Sequence, residues 1–262
     1  MTSQQNPVIN APLFAAIRDY WNTFIHDLEI ATHPPGSPGF FQELDAYRFE
    51  KLDYLPRLVN FGAYTGKQLL EIGCGAGIDL VRFAKGGAIV TGVDLAEVSI
   101  DLARKNFENN ELSSEFHVMN GEALDFPENT FDVVYAHGVL QYTSDAQRMI
   151  REIHRVLRPE GESILMVYNK YSWLSAMSKL TKVDLEHDDA PVFRTYSIRE
   201  FKELLKPFAS YRLIPERFPV KTRLHHGLKA TLYNRVFVNV FNWLPKSLIR
   251  PLGWHLMAFA RK

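Results

Sequence analysis

Apolar and polar positions along this chain follow two rhythms. Short apolar runs of strand length occupy 68–72, 88–93, 114–119, 131–136 and 162–169. Between them, apolar residues recur at helical spacing over 78–85, 96–109 and 145–157. From Lys67 onward this alternation predicts a parallel sheet with helices on both faces. Two more strand-like runs follow at 211–216 and 254–261. Ser197, with Glu200 three residues later, predicts a capped short helix through Leu205.

The flanking stretches read differently. Residues 12–30 carry Phe14, Tyr20, Trp21 and Phe24 and predict a helix. A turn-rich His33-Pro34-Pro35-Gly36-Ser37-Pro38-Gly39 loop precedes a second helical pattern, 40–61, which contains Tyr47, Arg48 and Tyr54. Residues 170–195 and 217–250 interrupt the strand–helix alternation as insertions. In the first, Asp184, Glu186, Asp188 and Asp189 surround His187 without a repeating ligand spacing. That pattern reads as a solvated loop and predicts no metal. In the second, Leu228, Leu232, Val236, Val240 and Trp243 recur at helical spacing, with Phe237 and Leu244 widening the stripe.

Composition narrows the class. A hydrophobic fraction of 46% in 262 residues supplies a sizeable core. The single cysteine, Cys74, excludes an internal disulfide framework and fits a reducing compartment. No cationic-then-apolar leader and no uninterrupted apolar span of transmembrane length is present. A cytoplasmic protein is the expectation. Net charge is zero, but unevenly spread. From Arg217 onward there are nine Lys or Arg and no Asp or Glu; the first 216 residues carry 21 basic and 30 acidic side chains. The basic segment suits an RNA or a membrane surface, and equally a basic surface helix with no partner.

The candidate chemistry sits where the first strand ends. Glu71-Ile72-Gly73-Cys74-Gly75-Ala76-Gly77 strips side chains from a sharp turn, so backbone N–H groups can approach a ligand. The following helix adds its N-terminal partial positive charge. A dinucleotide fingerprint would need glycine at 78, where isoleucine stands, so a nicotinamide enzyme fits poorly. Asp94, at the end of the second strand, can accept both hydroxyls of a ribose.

Glu71-x-Gly73-x-Gly75-x-Gly77 together with Val93-Asp94 resembles the class I (Rossmann-like) S-adenosylmethionine-dependent methyltransferases of small molecules. The likeness runs motif by motif over about residues 60–170 and more loosely over the last strand. It implies a Rossmann-like, seven-stranded, mostly parallel sheet with the last strand antiparallel and helices on both faces. An N-terminal helical lid would span 1–60. The cofactor-binding domain would span 61–262, with cap insertions at about 170–195 and 217–250, the latter between strands six and seven.

By the same resemblance S-adenosylmethionine would contact Glu71, Gly73, Cys74, Gly75, Gly77, Asp94 and Leu95. Gly121, Glu122 and Ala123 would follow, with glutamate at a position where aspartate is commoner, and then Ala136 and His137. Tyr47 and Arg48 could approach the methionine end. Methyl transfer needs mainly alignment and desolvation, and for a hydroxyl or thiol the removal of a proton. His137, Gln141 and Tyr142 are the candidates facing the methyl group. His137 has a usable ordinary pKa, Tyr142 could shape the acceptor pocket, and His154 reads as structural.

Absences matter too. No Asn/Asp-Pro-Pro-Tyr/Phe motif follows strand four, and no acidic residue stands at 136 or 137 to hold magnesium. The lone cysteine lies in the glycine turn, which leaves none for covalent attack on a pyrimidine. The implied activity is methyl transfer to oxygen, nitrogen or carbon of a small, apolar or anionic acceptor; no DNA partner is expected. The alternatives are a catalytically silent S-adenosylmethionine-binding partner protein, and an RNA or protein methyltransferase.

Overall fold

The computed structural model describes residues 11–182, 184–220, 231 and 233–262. Helix α1, Ala11–Thr23, stops short of the 12–30 expected from the sequence. A turn and one 3-10 turn, Leu28–Ile30, replace its last part. Asp27 adopts φ 58 there, and its carboxylate accepts from the Lys51 ammonium at 2.9 Å, which fixes the turn. Helix α2, Pro38–Lys51, starts on Ser37, whose Oγ accepts the Phe40 N–H at 3.3 Å. Proline at the first helical position costs nothing, because that N–H has no intrahelical partner. The single helix expected over 40–61 breaks after Lys51. Pro56 cannot sit in a helix interior, so it lies in the first turn of a separate short helix, α3, Leu55–Leu58.

The sheet follows. Strand β1 is Gln68–Ile72 and helix α4 is Ile78–Lys85. Strand β2 is Ile89–Asp94, helix α5 Glu97–Asn109 and strand β3 Glu115–Val118. Strand β4 is Phe131–His137 and helix α6 Ala146–Val156. Strand β5, Leu157–Tyr168, begins five residues earlier than expected. It reaches β4 through an irregularity near Phe131, so the turn read at Arg158–Gly161 is part of the strand. Then come α7, Trp173–Thr181, and α8, Ile198–Leu204, with the Ser197–Glu200 capping box formed as its sequence predicts. Strand β6 is Ser210–Glu216. Two short helices, α9, Val238–Trp243, and α10, Lys246–Ile249, precede strand β7, His255–Arg261.

The strand order is β3-β2-β1-β4-β5-β7-β6. Strand β7 is antiparallel to both neighbours, and all other pairings are parallel. This is the Rossmann-like methyltransferase arrangement. Side chains alternate between two cores, one on each face. Leu69 packs with Leu80, Phe83 and Tyr135, whereas Leu70 packs with Val134, Met149 and Ile153. Helix α6 shows why it lies where it does: Met149, Ile150, Ile153 and Val156 are buried, and its charged residues lie on the other face. Chain build-out reverses direction between β1 and β4, which opens a crevice beyond their carboxyl ends.

The two insertions pack on each other. Trp173, Phe241 and Ile249 form a separate apolar cluster, and the Trp173 indole N–H donates to the Arg217 carbonyl at 2.9 Å. Lys221, Arg223, Leu228, Lys229 and Leu232 lie outside the described residues. No helix among the described residues is long and apolar enough to cross a membrane.

Candidate functional site

A cleft opens beyond the carboxyl ends of β1, β2 and β4, walled on one side by α1 and α2. Its floor is the turn after β1. Gly73 stands at φ 69, and a Cβ there would come within 2.4 Å of Val139 on the loop after β4. Gly75 stands at φ 51, and a Cβ there would meet nothing within 4 Å, because its open side is the cleft. Gly77 plays another part: a Cβ would approach Ala103 of α5 at 3.3 Å, so it lets α4 and α5 pack closely.

Asp94 holds this turn in place. Its Oδ2 accepts the Gly75 N–H and its Oδ1 the Ala96 N–H, both at 2.9 Å. Burial raises its carboxyl above the ordinary value, and those backbone N–H bonds act in the opposite direction. A carboxylate offers about four lone-pair sites, so the backbone N–H groups leave capacity for a ligand's hydroxyl.

Behind the floor lies a buried charge cluster. Asp79, 2% exposed, accepts both nitrogens of a bidentate Arg48 guanidinium and the Tyr135 hydroxyl at 2.7 Å. Burial pushes its carboxyl up, but the Arg48 charge prevails and holds it below the ordinary range. The nearby Glu71 goes the other way. Burial, reinforced by the Asp79 charge, drives its carboxyl well above the ordinary value. Its Oε2 is buried and accepts no hydrogen bond within the protein.

His137 joins an unbroken polar chain. An Arg48 nitrogen lies 3.4 Å from His137 Nδ1, and the Tyr54 hydroxyl lies 3.0 Å from His137 Nε2. The same hydroxyl is 2.6 Å from His255 Nδ1, and His255 Nε2 is 3.0 Å from Arg217. Only one proton pattern satisfies every contact. Each guanidinium donates to its histidine, and each histidine donates its remaining N–H to the Tyr54 oxygen. The Tyr54 proton then turns to the Met257 sulfur, 3.9 Å away. Burial first, and the Arg48 charge second, lower the His137 pKa to about 3. The ring is neutral at physiological pH, with both nitrogens occupied. It therefore has no free lone pair for an acceptor proton, contrary to the expectation of a general base.

Tyr142 is also removed from acid–base work. Burial, with Tyr168 nearby, raises its hydroxyl above the ordinary range. Its ring meets Trp21 edge-on at 4.9 Å and Phe193 at 6.0 Å. Trp21, Tyr142 and Tyr168, packed on one another, make one part of the cleft lining aromatic.

Not every residue singled out in the sequence reaches the cleft wall. Gly73, Cys74, Gly75, Leu95, Gly121 and Glu122 do. Ala123 lies outside it, and Ala136 is buried in the core on the other face of the sheet. Gln141 is fully buried, and Tyr47 lies beside Lys51, away from the cleft. Glu122 has a second attachment: its carboxylate accepts the Ser144 N–H at 2.7 Å and the Ser144 hydroxyl at 2.6 Å. It thereby ties the loop after β3 to the loop after β4. Of 217–250, only Arg217 among the described residues lines the cleft, so the apolar cap expected there is not formed by them. The segment read as a solvated loop supplies wall instead. Glu186 is ion-paired to Lys51 at 3.0 Å, and His187 faces Trp21 at 5.0 Å. Lys51, Arg217 and His255 carried no signal in sequence, because each comes from an element separated from the motifs by a long stretch of chain.

Residues 70–165 match the protein family described as a methyltransferase domain. A ubiquinone biosynthesis O-methyltransferase of Coxiella burnetii is 34% identical over 120 residues, 46% of this chain and 50% of that protein. The chain thus spans about half the length of the curated relatives it matches. A Thermotoga maritima structure, described as an S-adenosylmethionine-dependent and possible histamine N-methyltransferase, superposes with a TM-score of 0.60. That match has 16% identity and covers 94% of this chain and 99% of that one. The [4+2]-cyclase SpnF superposes at 0.57, with 20% identity and 94% of each chain covered. At such identities the likeness is one of fold, and the cyclase shows that the fold alone does not fix the reaction.

Proposed function

We propose that this protein, which carries a class I methyltransferase domain on a Rossmann-like sheet, transfers a methyl group from S-adenosylmethionine to a hydroxyl of a small aromatic acceptor. The observation that carries this reading is one continuous cleft lined both by the Gly75 turn with Asp94 and by the aromatic side chains of Trp21, Tyr142 and Tyr168. The names of the curated relatives, O-methyltransferases of ubiquinone biosynthesis, support oxygen as the acceptor atom.

The residues fit the cofactor. The unpartnered Glu71 Oε2 is an acceptor for its amino group, and the bare turn at Gly75 leaves room for close approach. Asp94 keeps lone pairs for the ribose, and Leu95 and Gly121 line the same cleft. The bound cofactor supplies a methyl group on a positively charged sulfur, a leaving group already activated. The chain's own work is to position the acceptor, exclude water and accept little else. The α1–α2 region acts as a lid, with Trp21 closing on the acceptor's aromatic ring. His137 and Tyr142 shape the pocket and move no proton.

The test is transfer of a labelled methyl group from S-adenosylmethionine to a panel of hydroxylated aromatics, with amines as controls. Saturable cofactor binding without transfer to any hydroxylated aromatic would overturn the reading in favour of a silent binder. Asp94→Ala is expected to weaken cofactor binding by about 2–4 kcal/mol, through loss of charge-assisted hydrogen bonds. Calorimetry giving less than about a tenfold loss would assign Asp94 to holding the turn alone.

The insertions support a lipid contact. Leu180, Val240, Trp243 and Leu248 are exposed on α7, α9 and α10, and no acidic residue follows Glu216. Exposed apolar side chains on a segment whose sequence carries basic but no acidic residues suit an anionic bilayer surface. The double variant Trp243→Ser, Leu248→Ser is expected to lose most co-sedimentation with anionic vesicles. Turnover of a water-soluble acceptor should persist. Unchanged sedimentation would remove the membrane from the account.

A further inference from the structure

The cleft lining brings together three groups from segments remote in sequence. His26 follows α1, and Glu186 and His187 lie between α7 and α8. His26 Nδ1 is 3.1 Å from His187 Nε2 and 3.4 Å from Glu186 Oε1. One ligand atom from each residue lies within 4.8 Å of the others.

The surrounding hydrogen bonds decide which atoms face inward as acceptors. The Tyr20 hydroxyl donates its one proton to Asp189 at 2.7 Å. Its oxygen must then accept at His187 Nδ1, 3.1 Å away, so Nδ1 carries the ring proton. The His187 Nε2 that faces His26 is therefore a lone pair. On the other ring, His26 Nε2 faces the Asp27 carboxylate at 3.4 Å, and that negative charge favours the ring proton on Nε2. The His26 Nδ1 of the neutral ring is a lone pair as well. Two imidazole lone pairs and a carboxylate oxygen thus converge, and three acceptors at these distances need a proton or a cation among them.

From these contacts we propose that His26, Glu186 and His187 bind a divalent transition metal of the zinc class. Zinc takes imidazole nitrogen and carboxylate oxygen at about 2.0–2.1 Å in tetrahedral geometry, which sets ligand atoms about 3.3 Å apart. The observed 3.1 and 3.4 Å bracket that spacing. Metal-bound histidines normally donate their second N–H to a carboxylate or another polar group. Here His187 has such a contact to Tyr20, which is held by Asp189, and His26 Nε2 faces the Asp27 carboxylate at 3.4 Å. Two cations already touch the cluster. Lys51 lies 3.0 and 3.1 Å from the two Glu186 oxygens, and Arg217 lies 4.0 Å from one of them. Asp27, Glu186 and Asp189 outnumber them, and each Glu186 oxygen keeps a second lone pair. The ligands come from two segments remote in sequence that both line the cleft, so the metal staples the N-terminal segment to the 184–190 segment. This inference stands on side-chain geometry and is independent of the reaction proposed above.

The test uses the full chain, stripped with a chelator and titrated with Co2+ and then Zn2+. Wild type is expected to give one saturable Co2+ site with the visible absorption of a tetrahedral N/O complex, displaced by Zn2+, and a Zn2+-dependent rise in melting temperature. His26→Ala and Glu186→Gln, both at exposed positions, should each weaken binding at least about a hundredfold. Tyr20→Phe keeps the ring but removes the group that orients His187, and should weaken binding about tenfold to a hundredfold. Absence of a saturable site in the stripped wild type would overturn the proposal. So would wild-type affinity in His26→Ala and Glu186→Gln.

Discussion

Replacing Gly75 with valine is expected to abolish cofactor binding while leaving the fold intact. Gly75 has φ 51, and the space where a Cβ would stand is open cleft rather than protein. The added side chain therefore meets no neighbour, and it fills the surface that a ligand must approach. The structural penalty is confined to the backbone. A residue other than glycine in the left-handed region costs about 1–2 kcal/mol, more for a β-branched one. A chain of this length should lose a few degrees of melting temperature for each kcal/mol. The binding loss should be at least about a hundredfold, equivalent to about 2.7 kcal/mol. Gly75→Ala, with a smaller obstruction and less strain, should fall between. Calorimetry with S-adenosylhomocysteine and circular dichroism separate the two effects. A folded Gly75→Val protein with unchanged affinity would mean that the ligand does not approach this turn.

Gly73 is an instructive contrast. It shares the positive φ, but a Cβ there would strike Val139 at 2.4 Å. Its substitution should disturb the loop after β4 before any ligand arrives. In the sequence the two glycines are equivalent members of one motif; only packing tells them apart.

The same division runs through the rest of the molecule. Strands were legible because a doubly covered parallel sheet requires apolar runs of strand length between helices. Helix α6 and the Ser197–Glu200 cap were legible because local periodicity and capping chemistry determine them. The helix expected over 40–61 was overextended because its apolar pattern continues through Pro56, whose ring forces a new start. The part of the cleft lined by Gly73, Gly75 and Asp94 was legible because these residues sit at strand ends, within a few positions of the motifs. The part lined by Trp21 and His187 was not. Trp21, Lys51, His187 and His255 come from four separate stretches, and no spacing links residues whose proximity is set by tertiary packing. His137 shows a subtler gap. Its residue type suggested a base, but the Arg48 and Tyr54 contacts that occupy its nitrogens come from a helix and a turn far upstream.

Asp79→Ala is expected to be the most destabilising single change in the chain. Asp79 is buried in the first turn of α4 and holds the bidentate Arg48 guanidinium and the Tyr135 hydroxyl. Removing it strands a guanidinium whose side chain is only 17% exposed, a loss of about 3–5 kcal/mol. The orphaned Tyr135 hydroxyl adds about 1–3 kcal/mol. Against a total stability of about 5–15 kcal/mol, that is enough to unfold part of the population at 25 °C. Arg48→Ala should cost less than Asp79→Ala, because the stranded carboxylate can take up a proton where a guanidinium cannot lose one. The double variant should lose much less than the two single losses together, since neither charge is then left alone. The pair also sets an acid limit. The Asp79 carboxyl titrates below its ordinary value of 3.8 in the folded protein. Its contribution is therefore complete above that value and lost as pH falls through the lower, folded one. Urea midpoints of the four proteins at neutral pH, and of wild type down an acid series, measure both effects. An Asp79→Ala loss below about 1 kcal/mol, or additive losses in the cycle, would show that this ion pair does not clasp α2 to α4.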